Sequence, residues 1–141
     1  MKILLVHRYF WPDTVNCGQI LWNLTRHFSS EGHKVEVITS LPSYNLNSLK
    51  IFAEKNENLK NIKIRRINLV TEGRSPIKKF INGLKLGLWT NYLTIRNNYD
   101  TVISTSIPPI TGGFFAALAT YITRTKFIYF CMDLHPEIGK I

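Results

Sequence analysis

The stretch that decides the fold is Lys2-Ile3-Leu4-Leu5-Val6, read together with the loop His7 to Cys17 and the run Gly18 to Thr39. Ile3 to Val6 is an unbroken aliphatic run at the head of the chain, the pattern of a strand buried on both faces. From Gly18 to Ser30, Ile20, Leu21, Leu24 and Phe28 return at three- and four-residue intervals, as on an amphipathic helix. Gly32 suits the end of that helix, and Lys34 to Thr39, with Val35, Val37 and Ile38, reads as a second strand. Strand, crossover helix and strand make the βαβ unit that begins an open parallel sheet. The intervening loop carries Tyr9, Phe10, Trp11, Pro12 and Asp13. In such sheets ligands bind beyond the carboxyl ends of the strands, where this loop must lie.

The remainder continues the alternation. Leu41-Pro42-Ser43-Tyr44 forms a loop at the carboxyl end of the second strand, and Ile62 to Leu69 alternates imperfectly, as an edge or half-exposed strand would. Pro76 suits the first turn of a long helix running to about Asn97. Asp100 to Ser104 reads as a fourth strand, Pro108-Pro109 punctuates the loop after it, and a small-residue helix follows from about Thr111 to Thr123. Lys126 to Cys131 reads as a fifth strand, ending in Met132-Asp133-Leu134-His135-Pro136-Glu137. These elements predict one doubly wound α/β domain over residues 1–141, its five parallel strands in the order 3-2-1-4-5.

Several classes are disfavoured. Two cysteines, Cys17 and Cys131, make no disulfide framework and match no metal spacing, which favours a reducing compartment. Ile3 to Val6 is too short for a signal peptide and is followed by His7-Arg8. The run Ile107 to Ile122 is interrupted by Pro108, Pro109, Gly112 and Gly113 and falls short of the ~20 apolar residues that span a bilayer.

The net charge of +9 is concentrated: residues 58–99 hold nine cations and one anion, Glu72. A localised basic surface implies an anionic partner, or else counter-charges elsewhere in an assembly. At roughly 100° per residue, Ile77, Ile81, Leu84, Leu88 and Ile95 share a stripe expected to pack on the sheet. Lys78, Lys79, Asn82, Lys85 and Arg96 fall opposite, with Leu86, Trp89 and Leu93 among them. Lysines mixed with apolar and aromatic residues resemble an interfacial membrane helix. Lys78, Lys79, Lys85, Leu86, Trp89 and Leu93 are therefore expected to face an anionic membrane. The alternative is that the three apolar residues pack beneath a neighbouring loop or domain. No nucleic-acid reader motif accompanies the cations, so nucleic acid is not expected as a partner.

The first loop is no dinucleotide fingerprint, since it has one glycine, Gly18, where G-x-G-x-x-G is needed. Gly18 could admit a phosphate to the helix N-terminus or merely permit a turn, and both readings stand. Asp133, directly after the fifth strand, and Glu137 could hydrogen-bond sugar hydroxyls or move a proton; they could equally cap the next helix. His7 and His135 belong at the same edge. No Ser-His-Asp set, phosphate loop or metal-spaced cluster can be assembled, and no metal or resident cofactor is expected.

The opening K-I-L-L-V-H-R-Y-F-W-P-D-T, with G-Q-I-L-W-N-L and E-G-H-K-V-E-V-I-T-S-L-P-S-Y, resembles the N-terminal half of a family 4 glycosyltransferase of the GT-B, Rossmann-like fold. S-T-S-I-P-P-I-T-G-G-F-F-A-A-L and F-I-Y-F-C-M-D-L-H-P-E are similar to the subgroup that builds capsule, O-antigen and colanic-acid saccharides. The resemblance implies retaining transfer from a nucleotide-sugar, as substrate, to a lipid-linked saccharide at the cytoplasmic face of the membrane. By it, Gly18 approaches the donor diphosphate and Asp133 occupies the catalytic edge. Phe10, Trp11, Pro42, Tyr44, Pro108, His135 and Glu137 shape the acceptor site. Met132 stands where many relatives have His or Arg, and His135 replaces the usual tryptophan. The resemblance covers essentially the whole chain, which by it is a truncated acceptor half: the rest of that half and the entire donor half, with its glutamate pair, are absent. The chain is therefore expected to be inactive alone, as a truncated reading frame, a fragment, or one piece of a split enzyme whose donor half a separate chain supplies.

Overall fold

The computed structural model describes residues 1–13, 15–42, 53–70, 75–107 and 111–131. Strand β1 (Lys2–Val6) is followed by α1 (Asn16–Ser30), β2 (Lys34–Ser40), β3 (Asn56–Leu59) and β4 (Ile62–Ile67). Helix α2 (Pro76–Asn97), β5 (Thr101–Thr105), α3 (Thr111–Thr123) and β6 (Lys126–Phe130) complete the order. The strands form one sheet, β3-β4-β2-β1-β5-β6. Its parallel part, β4-β2-β1-β5-β6, has the predicted order.

The predicted count of five strands is corrected to six. Strand β3, Asn-Glu-Asn-Leu, pairs antiparallel with β4 at the edge and is mostly exposed. It lacks the alternation that marks a half-buried strand, and its connection to β4 is Lys60-Asn61, with Lys60 left-handed at φ +50°. That pair lacks the Asn-Gly or Asp-Gly chemistry that announces a hairpin.

Side-chain alternation divides the core into two layers. Leu5, Val35, Val37, Ile62 and Ile64 face α1, where Leu21 and Phe10 meet them. Leu4, Val6, Ile38 and Val102 face the other way, against Leu86 and Leu93 of α2 and Ala116 of α3. Within this second layer buried Glu36 pairs with Arg65 and accepts a hydrogen bond from the Tyr99 hydroxyl at 2.7 Å. Burial, and then that bond, hold the Tyr99 phenol protonated well above its ordinary range.

Helix ends follow local chemistry. Gly32 leaves α1 at φ +81°, a conformation without penalty for glycine. Pro76 occupies the first turn of α2, with Ser75 as its N-cap. Helix α1 begins two residues before Gly18, at Asn16.

The orientation of α2 overturns the predicted faces. The buried residues are Asn82, Gly83, Leu86, Gly87, Thr90, Leu93 and Thr94. Ile77, Ile81, Leu88 and Ile95, expected on the sheet, are exposed, and Leu86 and Leu93, expected on the membrane side, are core. The packed stripe consists largely of small and polar residues whose hydrogen bonds are met locally. Thr90 Oγ1 donates to Leu86 O at 2.8 Å, and Asn82 exchanges two bonds with the backbone of Val70. The small stripe also lets α3 approach: a Cβ on Gly87 would lie 2.3 Å from Phe115 Cδ2. Helix α3 repeats the arrangement, burying Gly112, Ala116, Ala119 and Thr120 while exposing Phe114, Leu118, Tyr121 and Ile122.

Candidate functional site

The carboxyl edge of the sheet collects polar groups on the α1 side of its centre. His7 extends β1 by one residue, donating its N–H to Ile38 O at 3.1 Å. The next carbonyl, Arg8 O, accepts from Ser40 N at 3.0 Å, Ser40 Oγ at 2.7 Å and Thr39 Oγ1 at 2.8 Å. The loop therefore leaves the sheet pinned to the end of β2. On the other flank His7 Nδ1 lies 2.6 Å from Thr105 Oγ1, at the end of β5. Its Nε2 is buried without a hydrogen-bond partner among the described residues.

Thr105 couples to the next loop as well, with Oγ1 3.2 Å from Ile107 O and 3.4 Å from Ile107 N. When the hydroxyl donates to Ile107 O, His7 Nδ1 donates to the hydroxyl and Nε2 is left as an acceptor. In the opposite arrangement Nε2 carries the proton. The imidazole is thus built to be neutral: burial lowers its pKa from 6.5 to about 4.

That depression has a sign for stability. Between about pH 6.5 and about 4 the unfolded chain binds a proton that the folded chain refuses. Stability is accordingly full above pH 6.5 and is lost as pH falls through this window, by on the order of 3 kcal/mol. Denaturant midpoints measured from pH 7 to pH 4 should show this loss, and His7→Asn should flatten it.

Beyond His7 the aromatic loop folds back on α1. Phe10 is 2% exposed and meets Trp22 edge-on, with ring centroids 5.8 Å apart. Phe10 is therefore core, a correction to its expected place in an acceptor pocket: an aromatic run beside a helix supplies its own packing partner. Trp11, 39% exposed, stacks on Trp22 at 5.2 Å and 18° and keeps a face toward solvent. Its carbonyl accepts from Arg66 Nη2 at 3.0 Å.

Arg66 is the residue that sequence reasoning missed. It is 2% exposed on the α1 side of β4, and its Nη1 donates to Glu57 Oε1 at 2.8 Å and Glu54 O at 2.7 Å. One guanidinium thus ties the first loop to the β3 edge. The adjacent Arg65-Arg66 pair read as solvated alternation, and nothing local distinguished the buried arginine from the half-exposed one.

Gly18 lies buried in the first turns of α1. A Cβ there would stand 3.3 Å from Tyr9 O and 3.5 Å from both Asp13 O and Phe10 Cα. Helix α1 thus packs closely on the loop backbone at this glycine. Pro42 is half-buried just past β2, beside Leu41, whose N–H donates to Ile67 O at 3.1 Å. His7, Trp11, Gly18 and Pro42 belong to segments leaving the same edge. Tyr44, Pro108, Asp133, His135 and Glu137 lie outside the described residues. Among the described residues no three His, Cys, Asp or Glu side chains group as metal ligands would.

No family model and no curated protein sequence matches the chain. Among solved structures, the C-terminal domain of a hydrogenase from Pyrococcus furiosus is similar, with a TM-score of 0.60 at 14% identity, over 94% of this chain and 91% of that one. Sucrose-phosphate synthase from Thermosynechococcus elongatus is similar with a TM-score of 0.56 at 11% identity, over 92% of this chain and 32% of the synthase. This chain thus spans about a third of the synthase's length. At such identities the likeness concerns the fold alone: the chain is a Rossmann-like α/β domain.

Proposed function

We propose that this chain is the acceptor-binding half of a retaining glycosyltransferase that moves a sugar from a nucleotide-sugar to a lipid-linked saccharide. In this reading it sits on the cytoplasmic face of an anionic membrane, serves cell-surface polysaccharide assembly, and meets a donor half supplied by a separate chain. The resemblance of its motifs supports the chemistry, and the sucrose-phosphate synthase neighbour is compatible with it.

The observation that carries the membrane part is the outer face of α2 and α3. Ile77, Phe80, Ile81, Leu88, Trp89, Tyr92 and Ile95 are exposed on α2, and Phe114, Leu118, Tyr121 and Ile122 on α3. Lys78, Lys79, Lys85 and Arg96 lie on α2, and neither helix contains an Asp or Glu. So many exposed apolar and aromatic side chains on two helices suit an interaction surface, and their acid-free basic surroundings suit anionic lipid. Among the described residues no helix is long and apolar enough to cross a bilayer, so the attachment proposed is peripheral.

At the carboxyl edge, Trp11 and Pro42 would contact the acceptor, with Tyr44, Pro108, His135 and Glu137 assigned by resemblance. Asp133 would act at the reacting centre, and Gly18 would border the donor diphosphate. The rival is a non-catalytic α/β module holding a phosphorylated small molecule at the same edge, since one fold hosts many functions. Two measurements test the proposal. Co-expression with a donor half should give sugar transfer to a lipid-linked acceptor that Asp133→Ala reduces; phosphate-ester binding without transfer would favour the rival. The double change Lys78→Glu/Lys79→Glu should lower affinity for anionic vesicles in co-sedimentation by about thirtyfold or more, from ~1 kcal/mol per lysine lost plus repulsion of the new carboxylates. Unchanged sedimentation would sink the membrane part.

A further inference from the structure

On the second face of the sheet, where α2 passes over the ends of β2 and β4, lies a cavity of about 520 Å³. Its volume falls in the ~300–1,000 Å³ range of small-molecule sites. Ile38 and Leu93, both buried, contribute apolar surface to it, as does half-exposed Trp89. Lys55, Arg65, Arg66 and Lys85 also line it, and no carboxylate does among the described residues.

These cations are not equivalent. Arg65 is engaged by Glu36, and Arg66 by Glu57. The side-chain ammonium groups of Lys55 and Lys85 have no ion-pair or hydrogen-bond partner among the described residues, and both are exposed enough to swing toward a ligand. Their anchor points are firm. Lys55 O accepts from Arg66 N at 2.8 Å, which places Lys55 beside the end of β4. Lys85 stands one helical turn before Trp89 and two before Leu93 on α2, so charge, aromatic wall and apolar residue follow one line along the helix.

We propose that this cavity binds the phosphate of a single lipid molecule, with Lys55 and Lys85 on the phosphate and the first carbons of the chain lying against Trp89 and Leu93. An apolar hollow alone would take any hydrophobic molecule, and two lysines alone any anion. Their junction within one cavity selects a molecule that is both. Three residues expected from the sequence to rest on a membrane surface, Lys85, Trp89 and Leu93, are here parts of one concave site. The site takes from the proposed function only the source of its ligand, a lipid.

The test uses water-soluble decyl phosphate as probe, below the concentration at which it aggregates, with inorganic phosphate and decanol as the two half-ligands. Calorimetry on the intact chain should give one decyl phosphate per protein and markedly weaker binding of either half. Lys85→Glu and Lys55→Glu should each weaken decyl phosphate by about tenfold or more, as loss of a charge-assisted contact implies. Trp89→Ala should abolish the tryptophan fluorescence change on binding. Because all three side chains are exposed, each variant should retain wild-type circular dichroism. Lys78→Glu/Lys79→Glu, outside the cavity, should leave decyl phosphate binding intact even though it lowers vesicle sedimentation, so the two proposals fail separately. Equal binding of decanol or of inorganic phosphate would overturn the inference, and so would equal losses from the Lys78/Lys79 pair.

Discussion

Leu86→Ala should destabilise the domain by ~2–5 kcal/mol, and Leu88→Ala, two residues along the same helix, by no more than about 0.5 kcal/mol. Leu86 is 0% exposed in the core between α2 and the sheet, whereas Leu88 is 54% exposed. The first change removes transfer energy and leaves a cavity that the surrounding β1, β2 and β5 side chains fill only in part. Denaturant unfolding should show the Leu86 midpoint falling with an unchanged slope. The opposite ranking, Leu88 costly and Leu86 neutral, is what the aliphatic-stripe arrangement would give, so one pair of variants separates the two packings of α2. Gly87 points the same way, since Phe115 occupies the space of any Cβ there.

Arg66→Met should be as damaging for a different reason, at roughly 3–5 kcal/mol. Methionine keeps much of the volume, so the cost is electrostatic. The Glu57 carboxylate, 17% exposed at its side chain, loses its partner, and the carbonyls of Glu54 and Trp11 lose their donors. Adding Glu57→Leu should recover a good part of the loss, because removing both members of a buried pair costs less than orphaning one. Arg66→Met should also change the near-ultraviolet circular dichroism of the Trp11–Trp22 stack, since the tether on the Trp11 carbonyl is gone. An unaltered tryptophan signal together with full stability would mean that the guanidinium does not organise the first loop.

These two residues also mark where sequence reading succeeds and fails. The parallel strands and their order were legible because each is a short apolar run bounded by glycine, proline or a helical repeat. A βαβ chain of this kind has few ways to cover both faces of its sheet. The edge strand β3 was not legible, since a polar strand at a sheet edge obeys its partner's hydrogen bonds rather than its own pattern. At the site, the sequence pointed to the loop after β1 and to His7. It could not tell that Phe10 would turn inward against Trp22 while Trp11 stayed half outside.

By itself the sequence determined the alternation of strands and helices, the polarity of the carboxyl edge and the concentration of positive charge, because all three depend on residue type and spacing along the chain. Only the tertiary structure decided which face of α2 is buried, which of two adjacent arginines is enclosed, and that Lys85, Trp89 and Leu93 line a hollow. Hydropathy ranks threonine, asparagine and glycine as poor core residues. Threonine and asparagine nonetheless pack well once a neighbouring carbonyl accepts their hydrogen bond, and glycine once a second helix needs the room. Such compensation depends on what lies across the contact, which a linear pattern does not contain.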